Sequence, residues 1–95
     1  MKIEIDGNDI RTEAAFHRDL ATALDLPYYG GNLDALWDVL SAGVERPLLL
    51  VWRNASRSRL EMPEQFDAIV QVLRRVERQD AEWALPERFE LNLSQ

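Results

Sequence analysis

Apolar residues alternate with polar ones at both ends of the chain. Ile3 and Ile5 alternate with acidic residues before a Gly-Asn-Asp turn at residues 7–9, and the same period of two recurs at Phe89–Leu93. This period is typical of strands with one buried face. Between them, Leu48–Trp52 contains only apolar residues, which indicates a strand covered on both faces at the centre of a sheet.

Helical spacing of apolar residues dominates the segments between these strands. It predicts a helix over about Glu13–Leu24, with Thr12 as its N-cap. It predicts a second helix over about Leu33–Ala42, with Asn32 as its N-cap. A short helix at Asn54–Leu60 is expected after the central strand.

A longer helix is predicted to begin at Pro63, a residue that suits the first turn. Its apolar stripe is formed by Phe66, Ile69, Val70, Leu73 and Val76, and its C-terminal turn is expected to contain Arg74, Arg75 and Arg78. Strands separated by helices imply crossover connections and parallel pairing. The pattern therefore predicts an α/β fold in one domain over residues 1–95, with three parallel strands packed against about four helices.

Composition restricts the class of protein further. The chain has 95 residues, 46% of them hydrophobic, which is enough for one core but not for two. It has no cysteine for a disulfide or a thiolate metal site, and its longest apolar run is too short to cross a bilayer. Its first residues lack the apolar stretch of a signal peptide. We therefore expect a cytoplasmic protein that does not bind membranes.

The charge is unevenly distributed along the chain. The net charge is -6, and residues 1–45 contain nine acidic and three basic residues, whereas residues 46–95 contain eight of each. An acidic surface repels polyanions and attracts cationic partners. The arginines of the second half are interspersed with acids, which favours a solvated, mixed-charge surface over a nucleic-acid site. The expected partner is therefore a basic protein and not a nucleic acid.

Few residues suggest catalysis. The sequence has no phosphate-binding glycine loop, nucleophile elbow, metalloprotease motif or calcium loop. His17, the only histidine, lies beside the apolar stripe of its helix and is expected to be solvated or to cap rather than to transfer protons. We therefore predict that the protein is not an enzyme and needs no cofactor or metal.

The segment Tyr28–Asp38 is different, because stability alone does not explain it. Asp34 and Asp38 are four residues apart and would share one exposed face of the second helix, where like charges cost roughly 0.2 to 0.5 kcal/mol. Trp37 would lie at the border of that face, and aromatic residues beside acids are typical of recognition surfaces. Alternatively, the aromatic residues only pack in the core, or the acids form a glycosidase-like pair or a weak divalent-cation site. A convex helix with no expected cleft disfavours both of these roles for the acids.

Two stretches of the sequence carry a family resemblance. Leu26–Asp38, which reads LPYYGGNLDALWD, and Glu45–Trp52, in which Glu-Arg-Pro-Leu is followed by Val-Trp, closely resemble the barstar family of ribonuclease inhibitors. The similarity extends from the first strand through Ile10 and Arg11 to the long helix. It implies a three-stranded parallel sheet packed against helices, with the second helix and the preceding loop presented to a ribonuclease.

The resemblance also implies roles for individual residues. In the family, the acid that matches Asp38 enters the phosphate-binding site of the enzyme, and the acid that matches Asp34 pairs with a neighbouring arginine. Tyr28 would stack on the catalytic imidazole of the enzyme. The remaining contacts would come from Gly30, Asn32, Leu33 and Trp37, with Gly43 at the margin.

Gly43 and Arg75 depart from the family pattern, which has a flanking tryptophan and a glutamate of the long helix at these positions. The rim of the target is therefore expected to differ from that of barnase. The sequence leads to the hypothesis of a monomeric inhibitor that binds one basic, extracellular-type ribonuclease through Tyr28–Asp38. The alternatives are an immunity protein, or antitoxin, against another basic nuclease toxin, and a small hydrolase that uses Asp34 and Asp38.

Overall fold

Three strands and four helices make up the protein, which a computed structural model describes over all 95 residues. The strands are β1 (Lys2–Asp6), β2 (Leu48–Arg53) and β3 (Phe89–Leu93). The helices are α1 (Glu13–Leu24), α2 (Leu33–Ala42), α3 (Ala55–Glu61) and α4 (Pro63–Glu82), and a 3-10 turn at Gly7–Asp9 follows β1. The predicted α/β class, with three strands and four helices, is confirmed.

The sheet has the strand order β1-β2-β3, and both pairings are parallel. Ile3 pairs with Leu50, and Leu50 pairs with Leu91, so these three side chains lie on one face of the sheet. Ile3, Leu50 and Leu91 share one hydrophobic core with residues of α1, α2 and α4. The helices therefore cover the face that carries these three residues.

Strand β2 lies at the centre of the sheet, as predicted, but its two faces differ. Leu48, Leu50 and Trp52 belong to the buried core, whereas Leu49 is only partly buried on the opposite face. Val51, on the same face as Leu49, is nevertheless buried, so the expectation of cover on both faces holds for Val51 but not for Leu49. An apolar run without alternation does not distinguish cover by a layer of helices from lateral shielding by neighbouring strands.

One hydrophobic core of 18 buried residues joins the sheet to the helices. At its centre, Trp52 stacks on Phe16 of α1 and also contacts Phe66 of α4, with ring centroids 5.0 Å apart in both pairs. The indole nitrogen of Trp52 donates a hydrogen bond to the hydroxyl of Ser58. The buried polar atom of this large side chain is thus satisfied.

Helix α2 is fixed at its start and along its inner side. The Asn32 side chain accepts a hydrogen bond from the backbone N–H of Ala35 at 2.8 Å, which confirms the predicted N-cap. Leu36 and Leu40 are fully buried, and Leu33 packs half-buried against the core. Helix α2 also packs against α4. The side of α2 that carries Asp34 and Asp38 is exposed to solvent.

Helix α4 is longer than its apolar stripe indicates. Its buried positions continue past Val76 to Asp80 and the helix ends at Glu82, so Arg74, Arg75 and Arg78 precede the C-terminal turn expected to contain them. The apolar stripe ends early because an acid occupies the last buried position of the helix. Asp80 is tolerated there because it pairs with Arg46 at 2.8 Å. None of the four helices has the length and apolar character of a membrane-spanning segment.

Candidate binding surface

The loop before α2 and the helix itself lie in a segment whose charged residues are all acidic. Residues 25–45 contain Asp25, Asp34, Asp38 and Glu45 but no lysine or arginine, and none of these acids forms an ion pair. The acids of β1, in contrast, are matched: Arg53 lies 3.6 Å from Glu4 and 3.7 Å from Asp6. The negative charge of residues 25–45 is therefore left for solvent or a partner.

Asp34 and Asp38 both lie on the exposed side of α2, away from the buried leucines. One helical turn separates them, as the sequence spacing predicts. Neither carboxylate accepts a hydrogen bond from another side chain, and no cluster of three side chains suited to hold a metal ion exists in the chain. No third protein ligand for a divalent cation therefore lies beside these two carboxylates.

A shallow groove separates Asp38 from the loop before α2. It has a volume of about 450 Å³, and its walls include Pro27, Tyr28, Val39 and Asp38. The sequence did not indicate this cleft, because it forms where the loop folds back alongside the helix. Tyr28 stands at its edge with 97% of its surface exposed. The groove offers an aromatic ring and a carboxylate to a flat cationic group.

Tyr29 attaches the loop before α2 to α1 through a hydrogen bond with the buried His17. Its hydroxyl lies 2.5 Å from Nδ1 of His17, and Nε2 of His17 lies 2.9 Å from a carboxylate oxygen of Glu13. His17 is only 3% exposed, so the expectation of a solvated or capping histidine is wrong. It can be buried because both ring nitrogens have partners.

Burial raises the pKa of the Tyr29 phenol well above its usual range, and the nearby Glu13 carboxylate raises it further. The phenol therefore keeps its proton. With a neutral imidazole, the Tyr29 hydroxyl donates to Nδ1 of His17, and the Nε2–H group donates to Glu13. This chain of hydrogen bonds connects α1 to the loop that presents Tyr28.

Trp37 lies at the border of the acidic face, as expected, but it is not free. It packs half-buried against the core, and the guanidinium of Arg75 lies 4.0 Å from its ring centroid. One face of the indole is thus covered by a cation from α4. At the border of the acidic face, Trp37 and Arg75 therefore lie together.

The other predicted contact residues surround this face. Gly30 and Asn32 lie exposed in the loop, Leu33 begins α2, and Gly43 is exposed immediately after it. Gly31 has a φ of 69°, a left-handed conformation that favours glycine and turns the chain into the Asn32 cap. The sequence did not reveal the part played by Tyr29, because its partner lies 12 residues away in α1.

Comparison with known proteins finds similarity over almost the whole chain. The family model described as Barstar (barnase inhibitor) matches residues 1–92. The chain is also 40% identical over 91 residues to the Bacillus subtilis (strain 168) protein named "Putative ribonuclease inhibitor YrdF", an alignment that covers 95% of this chain and 94% of that protein. The chain therefore belongs to the barstar family.

Proposed function

We propose that this protein inhibits a basic ribonuclease by blocking its active site with Tyr28–Asp38, and that it is not itself an enzyme. The observation that carries the proposal is the pair Asp34 and Asp38, exposed and unpaired on a helix whose inner side is locked into the core. Membership in the barstar family and the name of the Bacillus relative support the same class of activity.

The mechanism follows from the charge of the substrate. An enzyme that cleaves RNA holds cationic groups where the scissile phosphate binds. The carboxylate of Asp38 accepts the same charge-assisted hydrogen bonds but contains no bond that the enzyme can cleave. Asp34, one turn away, pairs with a second cation of the enzyme. Because α2 is already fixed by its cap and its buried leucines, little conformational entropy is lost when the complex forms.

Tyr28 supplies the apolar part of the contact. Its ring is exposed at the edge of the groove that also contains Asp38. In the proposed complex, the catalytic imidazole of the ribonuclease enters this groove, stacks on Tyr28 and faces Asp38. A cation held between an aromatic face and a carboxylate is favoured by both.

The proposed complex contains one inhibitor and one enzyme molecule, and the free inhibitor is a monomer. In the cytoplasm, such an inhibitor protects the cell that makes the ribonuclease until the enzyme is exported. It would then act as the antitoxin, or immunity protein, of a secreted nuclease. The acidic surface disfavours nucleic acid as a direct ligand.

Titration into a panel of microbial ribonucleases that includes barnase, and of basic DNA-cleaving toxins, tests the proposal. At physiological salt, Asp38→Ala is expected to weaken inhibition by about thirtyfold or more, because losing one partner of a buried charge pair costs on the order of 2 kcal/mol or more. Asp34→Ala should have a smaller effect. Glu61→Ala, which removes an exposed acid of α3, is the matched control and should change inhibition less than about threefold.

Two results would contradict the proposal. An Asp38→Ala variant that inhibits as well as the wild type would exclude Asp38 from the active site of the enzyme. Inhibition of the DNA-cleaving toxins alone would identify the protein as an immunity protein of a different class.

A further inference from the structure

Arg75 is fixed beside the acidic face of α2 and is not neutralised there. Its guanidinium lies 4.0 Å from the ring centroid of Trp37, the residue next to Asp38 in the sequence. A cation over an indole face is held in place by the quadrupole of the ring. Arg75 is exposed and forms no ion pair, so its positive charge is available to a partner.

The surface around Arg75 continues this positive character along α4. A concavity of about 490 Å³ lies between Leu33 of α2 and helix α4, and its lining includes Arg74, Arg75 and Arg78. Arg74 is bound to Glu77 at 2.8 Å, but Arg78, like Arg75, forms no ion pair. Two uncompensated cations therefore border the helix that carries Asp34 and Asp38.

We propose that Arg75 is a specificity-determining residue, which selects ribonucleases with an acidic side chain next to their cationic active site. The inference rests on the proposed function. If Asp34 and Asp38 occupy the cationic centre of the enzyme, Arg75 faces the enzyme surface beside that centre, because it covers Trp37 at the border of the face that carries both acids. A ribonuclease whose basic surface continued there would be repelled by Arg75, whereas one with an acid would form an ion pair at the same point.

This arrangement gives discrimination as well as attraction. The acids of α2 attract any enzyme with a cationic centre, so they do not distinguish one ribonuclease from another. Arg75 supplies the repulsive element that specific interfaces use against wrong partners. Charge matching at the rim of an interface acts on partner choice more than on total affinity.

A double-mutant cycle tests the assignment. The probe is the ribonuclease that the protein inhibits most strongly in the panel, with the surface residues that border its active site changed to glutamate one at a time. Each enzyme variant is titrated with the wild type, Arg75→Glu and Arg75→Lys. At one border position at least, introduced glutamate is expected to favour the wild type over Arg75→Glu by about tenfold, and Arg75→Lys should retain the sign of this preference.

Arg59→Glu is the matched control, because Arg59 of α3 is also exposed, forms no ion pair and lies over an aromatic ring, that of Phe66 at 5.0 Å. Its coupling to every border position should stay below about twofold. If the coupling of Arg75→Glu is equally small at all positions, while Asp38→Ala still weakens inhibition by about thirtyfold or more, the role of Arg75 is overturned and the proposed function stays intact. If Asp38→Ala instead inhibits the enzyme as well as the wild type does, the proposed function is refuted.

Self-association is the competing role for a cationic surface beside an acidic one. Sedimentation velocity of the free protein separates the two. A monomer supports the proposed role of Arg75 in binding an enzyme. A dimer that Arg75→Glu dissociates would place Arg75 between two copies of the chain and overturn the proposal.

Discussion

Tyr28 and Tyr29 are neighbours in the sequence but have opposite environments. Tyr28 is 97% exposed, whereas Tyr29 is partly buried and bonded to His17. The two residues therefore have different roles in the loop. Tyr28 is free to contact a partner, and Tyr29 holds the backbone that presents it.

We predict that Tyr29→Phe destabilises the protein and Tyr28→Phe does not. Removing the Tyr29 hydroxyl leaves Nδ1 of a buried imidazole without its partner, which costs about 1 to 2 kcal/mol of the free energy of unfolding. Tyr28→Phe should change it by less than about 0.5 kcal/mol, because that side chain is exposed. Urea unfolding followed by circular dichroism measures both values. Equal stability of the two variants would mean that the Tyr29–His17 hydrogen bond contributes nothing.

At this scale, the sequence predicted the acidic residues better than the histidine. The exposure of Asp34 and Asp38 follows from helical spacing, because Leu36 and Leu40 must face the core. His17 was predicted wrongly because its environment depends on a residue in another element. The local sequence pattern around His17 cannot show that Tyr29, from the loop before α2, forms a hydrogen bond with its imidazole.

At the scale of elements, Arg46 connects the C-terminal end of α2 to the rest of the fold. It donates hydrogen bonds to the backbone carbonyl oxygens of Leu40 at 2.6 Å and Val44 at 2.8 Å, and it pairs with Asp80 of α4. Asp80 in turn accepts a hydrogen bond from the backbone N–H of Phe89 at the start of β3. One nearly buried ion pair thus fixes α2, α4 and β3 relative to one another.

This pair also explains which element boundaries the sequence could predict. The bounds of α1 and α2 follow from the caps Thr12 and Asn32, which act within a few residues. The end of α4 could not be predicted, since Asp80 is read as a surface acid unless Arg46, 34 residues earlier, is known to meet it. Boundaries set by distant contacts leave no periodic signal.

We predict that Asp80→Ala lowers the free energy of unfolding by about 3 kcal/mol or more, because it leaves the Arg46 guanidinium nearly buried without a counter-ion. Glu82→Ala, which removes an exposed acid of the same helix, should cost less than about 0.5 kcal/mol. Chemical denaturation of both variants provides the comparison. A small loss for Asp80→Ala would show that water replaces the carboxylate at little cost.

The same carboxyl group gives stability a pH dependence. Burial by itself raises the pKa of Asp80, but hydrogen bonds from Arg46 and from the Phe89 N–H, with the charges of Arg46 and Arg88, lower it below its ordinary value. A lowered pKa in the folded state stabilises the protein above the unfolded pKa of about 3.9, and this contribution is lost as the pH falls through the folded pKa. Between neutral pH and about pH 3, wild type should therefore lose more stability than Asp80→Asn. Urea unfolding at a series of pH values across this range measures the free energy of unfolding of both proteins. If the two values fall in parallel with pH, Asp80 contributes nothing to the pH dependence.

At the scale of the whole molecule, the net negative charge is unevenly distributed. The net charge of -6 arises in the first half of the chain, and residues 25–45 contain four acids and no base. Arg53 lies beside both acids of β1, whereas none of the four acids of residues 25–45 forms an ion pair. The sequence predicted this asymmetry from counts alone, but only the fold shows that Arg75 and Arg78 border the acidic face.

This polarity predicts that association with a cationic ribonuclease depends strongly on salt. Because salt screens exposed charges over about 10 Å at 0.1 M, the association rate constant should fall at least about tenfold between about 0.05 and about 0.5 M NaCl. The dissociation rate constant should change much less, since the charges in the formed complex are shielded from ions. Stopped-flow mixing with the best-inhibited enzyme of the panel measures both constants.

Two variants with the same net charge separate local attraction from the charge of the whole chain. Asp34→Asn removes one charge from the acidic face, and Glu61→Gln removes one from α3. If encounter is guided by α2, Asp34→Asn flattens the salt dependence and Glu61→Gln leaves it nearly unchanged. Equal flattening by both would mean that overall charge alone speeds the encounter, and the placement of the acids on α2 would then matter only after contact, through the dissociation rate.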